Sequence, residues 1–260
     1  MIRKITSYLY KTLLLLSLAA AALEVSDKGY RFPTNLLNAD YTLMKLTPTE
    51  ESLAKDIKKI NYKLSSEETT LYAKQILKVS QCFKIDPWVL TGLIQKESSF
   101  KKDAISPTGA AGLTQFTTLG FKEVHDQLGF RGREGASEAA TQYLQSTLKG
   151  CIDESWVDLW NRIELKEEDP EYYNRLKKEL MDNSELAIVY GAILLKTYLA
   201  HTANRAERNE SELQDSEIYF QALQIYNGEE GDAKVRYAKN IFINLKNIYP
   251  QEVNFPFLNE

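Results

Sequence analysis

Apolar positions along this chain recur at three- and four-residue steps, and no convincing run of period-two alternation occurs. Leu53, Ile57, Ile60 and Leu64 form one such stripe, and Leu71, Ile76, Leu77 and Val79 form the next, over Glu67–Lys84. Ser65 or Ser66 is placed to cap this second helix, and Asp86-Pro87 ends it and opens another, with proline at the first helical position, where its missing N–H costs nothing. Further stripes predict helices at Ala136–Lys149, Glu154–Ile163, Glu171–Met181, Leu186–Leu199, Ser216–Tyr226 and Ala233–Ile248. Pro107, Gly109 and Gly112 make Ala104–Gln115 a turn-rich segment, where the two glycines serve backbone turns, and Asn227–Asp232 reads as a loop. Residues 24–50 have no clear period and read as an irregular arm. The fold class is mainly α, without internal repeat and with at most a short hairpin.

One stripe is interrupted in an informative way. After Leu90, Leu93 and Ile94 the next core-facing position, i+7, is Glu97. Burial disfavours the charged form of a carboxyl group and raises its pKa, which suits a proton donor working near neutral pH. The alternative is a glutamate near a helix end that reaches water.

Composition narrows the class. A chain of 260 residues with 43% hydrophobic and 26% charged residues can bury a sizeable core. Thirty-two Lys and Arg against 36 Asp and Glu, with no dense basic patch, argue against nucleic acid as a partner. Arg3, Lys4 and Lys11 accompany the apolar run Leu13–Leu18, which is followed by Ala19–Ala22. That is the pattern of a signal peptide over residues 1–22, and it predicts an exported protein, periplasmic or secreted; the other reading is an uncleaved anchor. In an oxidising compartment Cys82 and Cys151 can form one bridge or remain as two buried thiols. Two cysteines and two separated histidines exclude a structural zinc site of the usual kind.

A set of ordered motifs then carries a resemblance. Ile85-Asp86-Pro87, Lys96-Glu97-Ser98-Ser99-Phe100 and Ile105-Ser106-Pro107-Thr108-Gly109-Ala110-Ala111-Gly112-Leu113-Thr114-Gln115 are followed by Asn183–Leu195, Ile225-Tyr226-Asn227-Gly228 and Val235-Arg236-Tyr237. Together they resemble the soluble lytic transglycosylase domain, a relative of goose-type lysozyme. The resemblance implies a lysozyme-like helical fold and cleavage of the MurNAc–GlcNAc bond of peptidoglycan glycan strands, without metal or organic cofactor. By the same resemblance Glu97 is the catalytic acid, and Ser106, Gln115, Tyr226, Asn227 and Tyr237 line or orient the substrate site. With the N-terminal pattern, the expected division is a signal at 1–22, an arm and helix at 23–65, the domain at 66–250 with its insertion, and a tail at 251–260.

Most glycosidases need two carboxylates. No second one is evident here: Asp103 reads as a solvated loop charge, and Glu123 and Asp126 as surface residues. A single carboxyl suffices if the substrate supplies its own nucleophile, the C6 hydroxyl of MurNAc, which gives a 1,6-anhydro product. The rival readings are a hydrolase of the same fold, with Asp103 as second acid, and a non-catalytic wall-binding protein. Two departures from the family pattern stand out. Thr114, Thr117 and Thr118 replace apolar residues, which predicts a more polar cleft wall. The gap between Gln115 and Asn183 is long, so that residues 131–180 read as an insertion. Within it Trp156, Leu159, Trp160 and Ile163 share one helical face, which packs, stacks on sugar or docks a protein partner through Trp156 and Trp160. A Cys82–Cys151 bridge would staple this insertion to the helix ahead of Glu97.

Overall fold

The computed structural model describes residues 34–43, 47–127, 146–147, 149–151, 170–228, 230–248 and 255–258. The proposed signal, Trp156, Leu159, Trp160 and Ile163, and the helices expected at 136–149 (except a few residues) and 154–163 lie outside these residues.

Helices make up the described body, with no strand among the described residues. In chain order they are α1 (Thr34–Asn38), α2 (Glu50–Ile60), α3 (Ser66–Phe83), α4 (Pro87–Ser98), α5 (Thr118–Gln127), α6 (Pro170–Asp182), α7 (Ser184–Arg208), α8 (Asp215–Asn227) and α9 (Asp232–Lys246), with a 3₁₀ turn at Pro256–Leu258. The expected mainly α class holds. The allowance of at most a short hairpin is consistent with isolated antiparallel bridges, Ile105 to Ala111 and Ala111 to Phe116.

Local chemistry sets the helix starts. Ser65 accepts from the Glu68 N–H while Glu68 reaches back to the Ser65 N–H, a capping box that satisfies two orphan donors at the head of α3. Asp86 accepts from the Trp88 and Val89 amides at 2.9 and 3.1 Å and so begins α4. Leu64 was expected to continue the stripe of α2, but that helix ends at Ile60; the chain turns at Asn61, and Leu64 is buried from the following loop, where its carbonyl accepts from Lys58. Helix α5 was not anticipated. Its first turn is capped by Thr117 Oγ1, which accepts from the Gly120 N–H at 3.1 Å, and its buried stripe is Phe121, Val124 and His125. The histidine obscured that stripe; in the fold it is buried with Nε2 3.0 Å from the Tyr190 hydroxyl.

Helix α7 is the centre of the body and packs against α1, α3, α5, α6 and α8. Among the described residues it alone is long and apolar enough to cross a membrane, but it is buried along most of its length in the protein's own core. Helix α4 lies between α3 and α9. Gly92 permits the second approach: a Cβ there would fall 2.9 Å from Leu245 Cδ2. The end of the expected insertion is also core, since Tyr172, Tyr173, Leu176 and Leu180 of α6 are buried. Cys82 and Cys151 are joined by a disulfide, with Cα atoms 5.7 Å apart, tying α3 to the segment that follows α5.

Candidate active site

Helix α4 stops abruptly just after Glu97. Ser99 and Phe100 both adopt positive φ, 51° and 61°, a conformation that disfavours side chains larger than glycine. Burial holds the turn: Phe100 is fully enclosed and packs in a tilted arrangement on Tyr72 of α3, ring centres 5.9 Å apart. Asn61 Nδ2 also donates to the Ser99 carbonyl at 3.0 Å. Glu97 therefore sits in the last turn of a buried helix, at the negative end of its dipole, a place that suits a neutral carboxyl better than a carboxylate.

Its surroundings reinforce this. Burial pushes Glu97 up to about 7, against the opposing effects of the Tyr237 hydroxyl, which donates to Oε1, and the Lys96 charge. Helix α9 delivers Tyr237 through the close α4–α9 contact at Gly92. Burial raises the phenol of Tyr237 well above its ordinary range, and the neighbouring Glu97 adds to the effect, so Tyr237 remains a donor.

A cleft of about 910 Å³ opens beside Glu97. Ser106, Gln115, Tyr226 and Asn227 line it together with Glu97, while Tyr237 touches it only through the carboxyl. The Ser106 hydroxyl accepts from the Ala110 N–H at 3.0 Å and pairs with Thr108 at 2.9 Å, so it also braces the loop. Gln115, at φ 49°, donates through Nε2 to the carbonyls of Ala104 and Gly112. Only its amide oxygen is left for a ligand.

Several expectations need correction. Tyr226 and Tyr237 were both read as offering a phenol to orient Glu97; Tyr237 donates to it, whereas the Tyr226 hydroxyl donates to the Thr114 carbonyl at 3.3 Å. Thr114 was expected in the cleft wall, but it is fully buried and its hydroxyl donates to the Ala187 carbonyl at 2.9 Å. Its methyl group faces Gly191, where a Cβ would come within 2.6 Å, so the small residue on α7 admits the loop. Of the three threonines, only Thr117 lines the cleft. Asp103 does not line it and is exposed.

Sequence reasoning missed the opposite wall. Glu123 and Asp126 of α5, read as surface residues, line the cleft with Lys122, Leu119 and Tyr198. Leu119 stands 76% exposed at the rim. The signal was available in the threonine cap and the i, i+3 spacing of Phe121 and Val124, which turn Glu123 and Asp126 to another face of the same helix.

Residues 74–161 match the family model of the transglycosylase SLT domain. No curated protein and no solved structure matches the chain. The matched segment contains Glu97, Ser106 and Gln115, whereas Tyr226, Asn227 and Tyr237 lie beyond it. The match supports a peptidoglycan lytic transglycosylase function in general terms.

Proposed function

From the premise that this chain carries the SLT domain of the lysozyme-like lytic transglycosylases, we propose that it cleaves the MurNAc–GlcNAc β-1,4 bond with Glu97 as acid and then base. The neutral Glu97 carboxyl donates its proton to the glycosidic oxygen; the bond from MurNAc C1 to that oxygen breaks, and the GlcNAc hydroxyl departs. The Glu97 carboxylate then takes the proton of the MurNAc C6 hydroxyl as its oxygen bonds to C1. The product is a 1,6-anhydro sugar, no water is consumed, and Glu97 is regenerated neutral.

The observation that carries this reading is a half-buried carboxyl with its pKa raised to about 7, held by a tyrosine hydroxyl at the wall of a cleft. A group that must give and then take a proton works best when its pKa lies near the working pH. In this reading Ser106, the Gln115 amide oxygen and Asn227 contact sugar hydroxyls and N-acetyl groups, and Tyr226 offers a ring edge backed by Tyr198, 6.4 Å away. The N-terminal pattern adds export to the periplasm or cell exterior, where this substrate lies.

Glu123 and Asp126 favour one competing reading, a hydrolase in which one of them activates water. Mass analysis of muropeptides released from purified sacculi separates the two. Anhydro products from the wild type, absent with Glu97→Gln, are expected; reducing-end products, or equal release by Glu97→Gln, would overturn the proposal.

A further inference from the structure

The α3–α4 junction takes no part in this chemistry, yet polar groups converge on it from the arm, α7 and α8. Lys84 closes α3 in the left-handed conformation, φ 50°, and its carbonyl accepts from the Tyr41 N–H at 3.0 Å. Two residues on, Asp86 caps α4 with Oδ1 and accepts from the Leu43 N–H with Oδ2 at 3.0 Å. The Tyr219 hydroxyl of α8 meets the Asp86 N–H at 2.7 Å. Tyr41 further forms a parallel bridge with Ile85, and its own hydroxyl donates to the Leu36 carbonyl.

At the centre of this arrangement lies Lys196 of α7, fully buried. Its Nζ donates to the Ala39 carbonyl at 2.6 Å, lies 3.5 Å from the Lys84 carbonyl and stands 4.5 Å from the centre of the Tyr41 ring. Burial pushes the ammonium down to about 7, the charge of Lys84 acts in the same direction, and Asp40 opposes them. A buried lysine is costly unless its donors are used, and an apolar residue would suit the middle of α7 better. Its place there calls for a role, and among the described residues its partners Ala39, Tyr41 and Lys84 lie in the arm or at the junction.

We infer that Lys196 is a positioning residue: it pins residues 39–43 across Lys84–Asp86 and thereby fixes the origin of the helix that ends at Glu97. Eleven residues of helix make a lever of ~16 Å, so a tilt of about 5° at Asp86 moves Glu97 by about 1.4 Å. Displacements of that size cost on the order of 10²-fold in rate. The arm is thus part of the catalytic body. The catalytic part of this inference rests on the reading of Glu97 above; the structural part stands independently.

Hydrogen exchange on the full chain, read by peptide mass analysis, tests it with Lys196→Met. Amides of residues 39–43 and of Trp88–Leu90 are expected to exchange at least about ten-fold faster, with those of Ile241–Leu245 unchanged. On sacculi, kcat should fall about ten-fold or more while KM stays within about two-fold. Tyr41→Leu, which leaves α7 intact, should give the same pattern in weaker form and carries the test if Lys196→Met does not fold. Unchanged exchange at 39–43, faster exchange there without any change at Trp88–Leu90, or loosening of both with unaltered kcat would each overturn the inference. If the wild type leaves sacculi intact, the proposed function fails while exchange still decides whether Lys196 holds the junction.

Discussion

The two ends of α4 carry a carboxyl group each, and the protein treats them in opposite ways. Asp86, wholly buried at the N-terminal end, accepts from three backbone amides, those of Leu43, Trp88 and Val89, and faces the positive end of the helix dipole. Glu97, at the C-terminal end, has the Tyr237 hydroxyl, the negative end of the dipole and a cleft. One carboxyl is saturated with donors and anchors the helix; the other is under-supplied and is left able to exchange a proton. What separates the structural acid from the reactive one is how many donors surround it and whether it meets the cleft: Asp86 is enclosed, whereas Glu97 is half-buried at the cleft wall.

Changing the reactive end should produce the largest effect. Glu97→Gln keeps shape and burial but cannot cycle a proton, and is expected to lower release of muropeptides by about 10³-fold or more in a sacculus digestion assay. Asp86→Ala should act on the opposite property. It strands three amides in a buried setting and is expected to cost about 2–4 kcal/mol in chemical denaturation, with the melting temperature lowered. If Asp86→Ala instead left stability unchanged, the contrast between the ends would collapse.

The sign of the pH dependence sharpens the contrast. Glu97 is raised from 4.5 in the unfolded chain to about 7 in the fold, so the native state binds more protons between those values, and stability falls as pH rises through that window. Above it the half-buried carboxylate is a burden of up to about 3 kcal/mol, at 1.36 kcal/mol per unit. Glu97→Gln should therefore melt higher than the wild type at pH 8.5, and the gain should vanish near pH 5. A gain independent of pH would refute the assignment. A smaller effect is expected from Tyr237→Phe. The lost hydroxyl favoured the carboxylate, so the alkaline limb of the rate profile should move to higher pH, by no more than about one unit.

Much of this contrast was legible in the sequence. Asp86-Pro87 announces the start of α4, the capping residue Ser65 announces that of α3, and the glutamate in the Leu90, Leu93, Ile94 stripe marks a carboxyl drawn into the core. The helical period located α3, α7, α8 and α9 because each has a long apolar face. It failed for α5, ten residues long, whose buried stripe contains a histidine paired with Tyr190 on a distant helix. With α5 went Glu123 and Asp126. Nor could spacing tell which tyrosine reaches Glu97: Tyr226 and Tyr237 both approach the site, and the choice depends on the α4–α9 contact that Gly92 allows. Thr114 misled because a hydroxyl in a motif beside the cleft reads as cleft-facing, whereas its partner is the Ala187 carbonyl in the core.

The most direct test of the account is the titration of Glu97 itself, followed by the carbon-13 shift of its side-chain carboxyl in the wild type with Glu97→Gln as the assignment control. A midpoint near about 7 is the predicted result. A midpoint at the ordinary 4.5 would mean that Glu97 is a carboxylate throughout the neutral range, and would contradict its role as the proton donor.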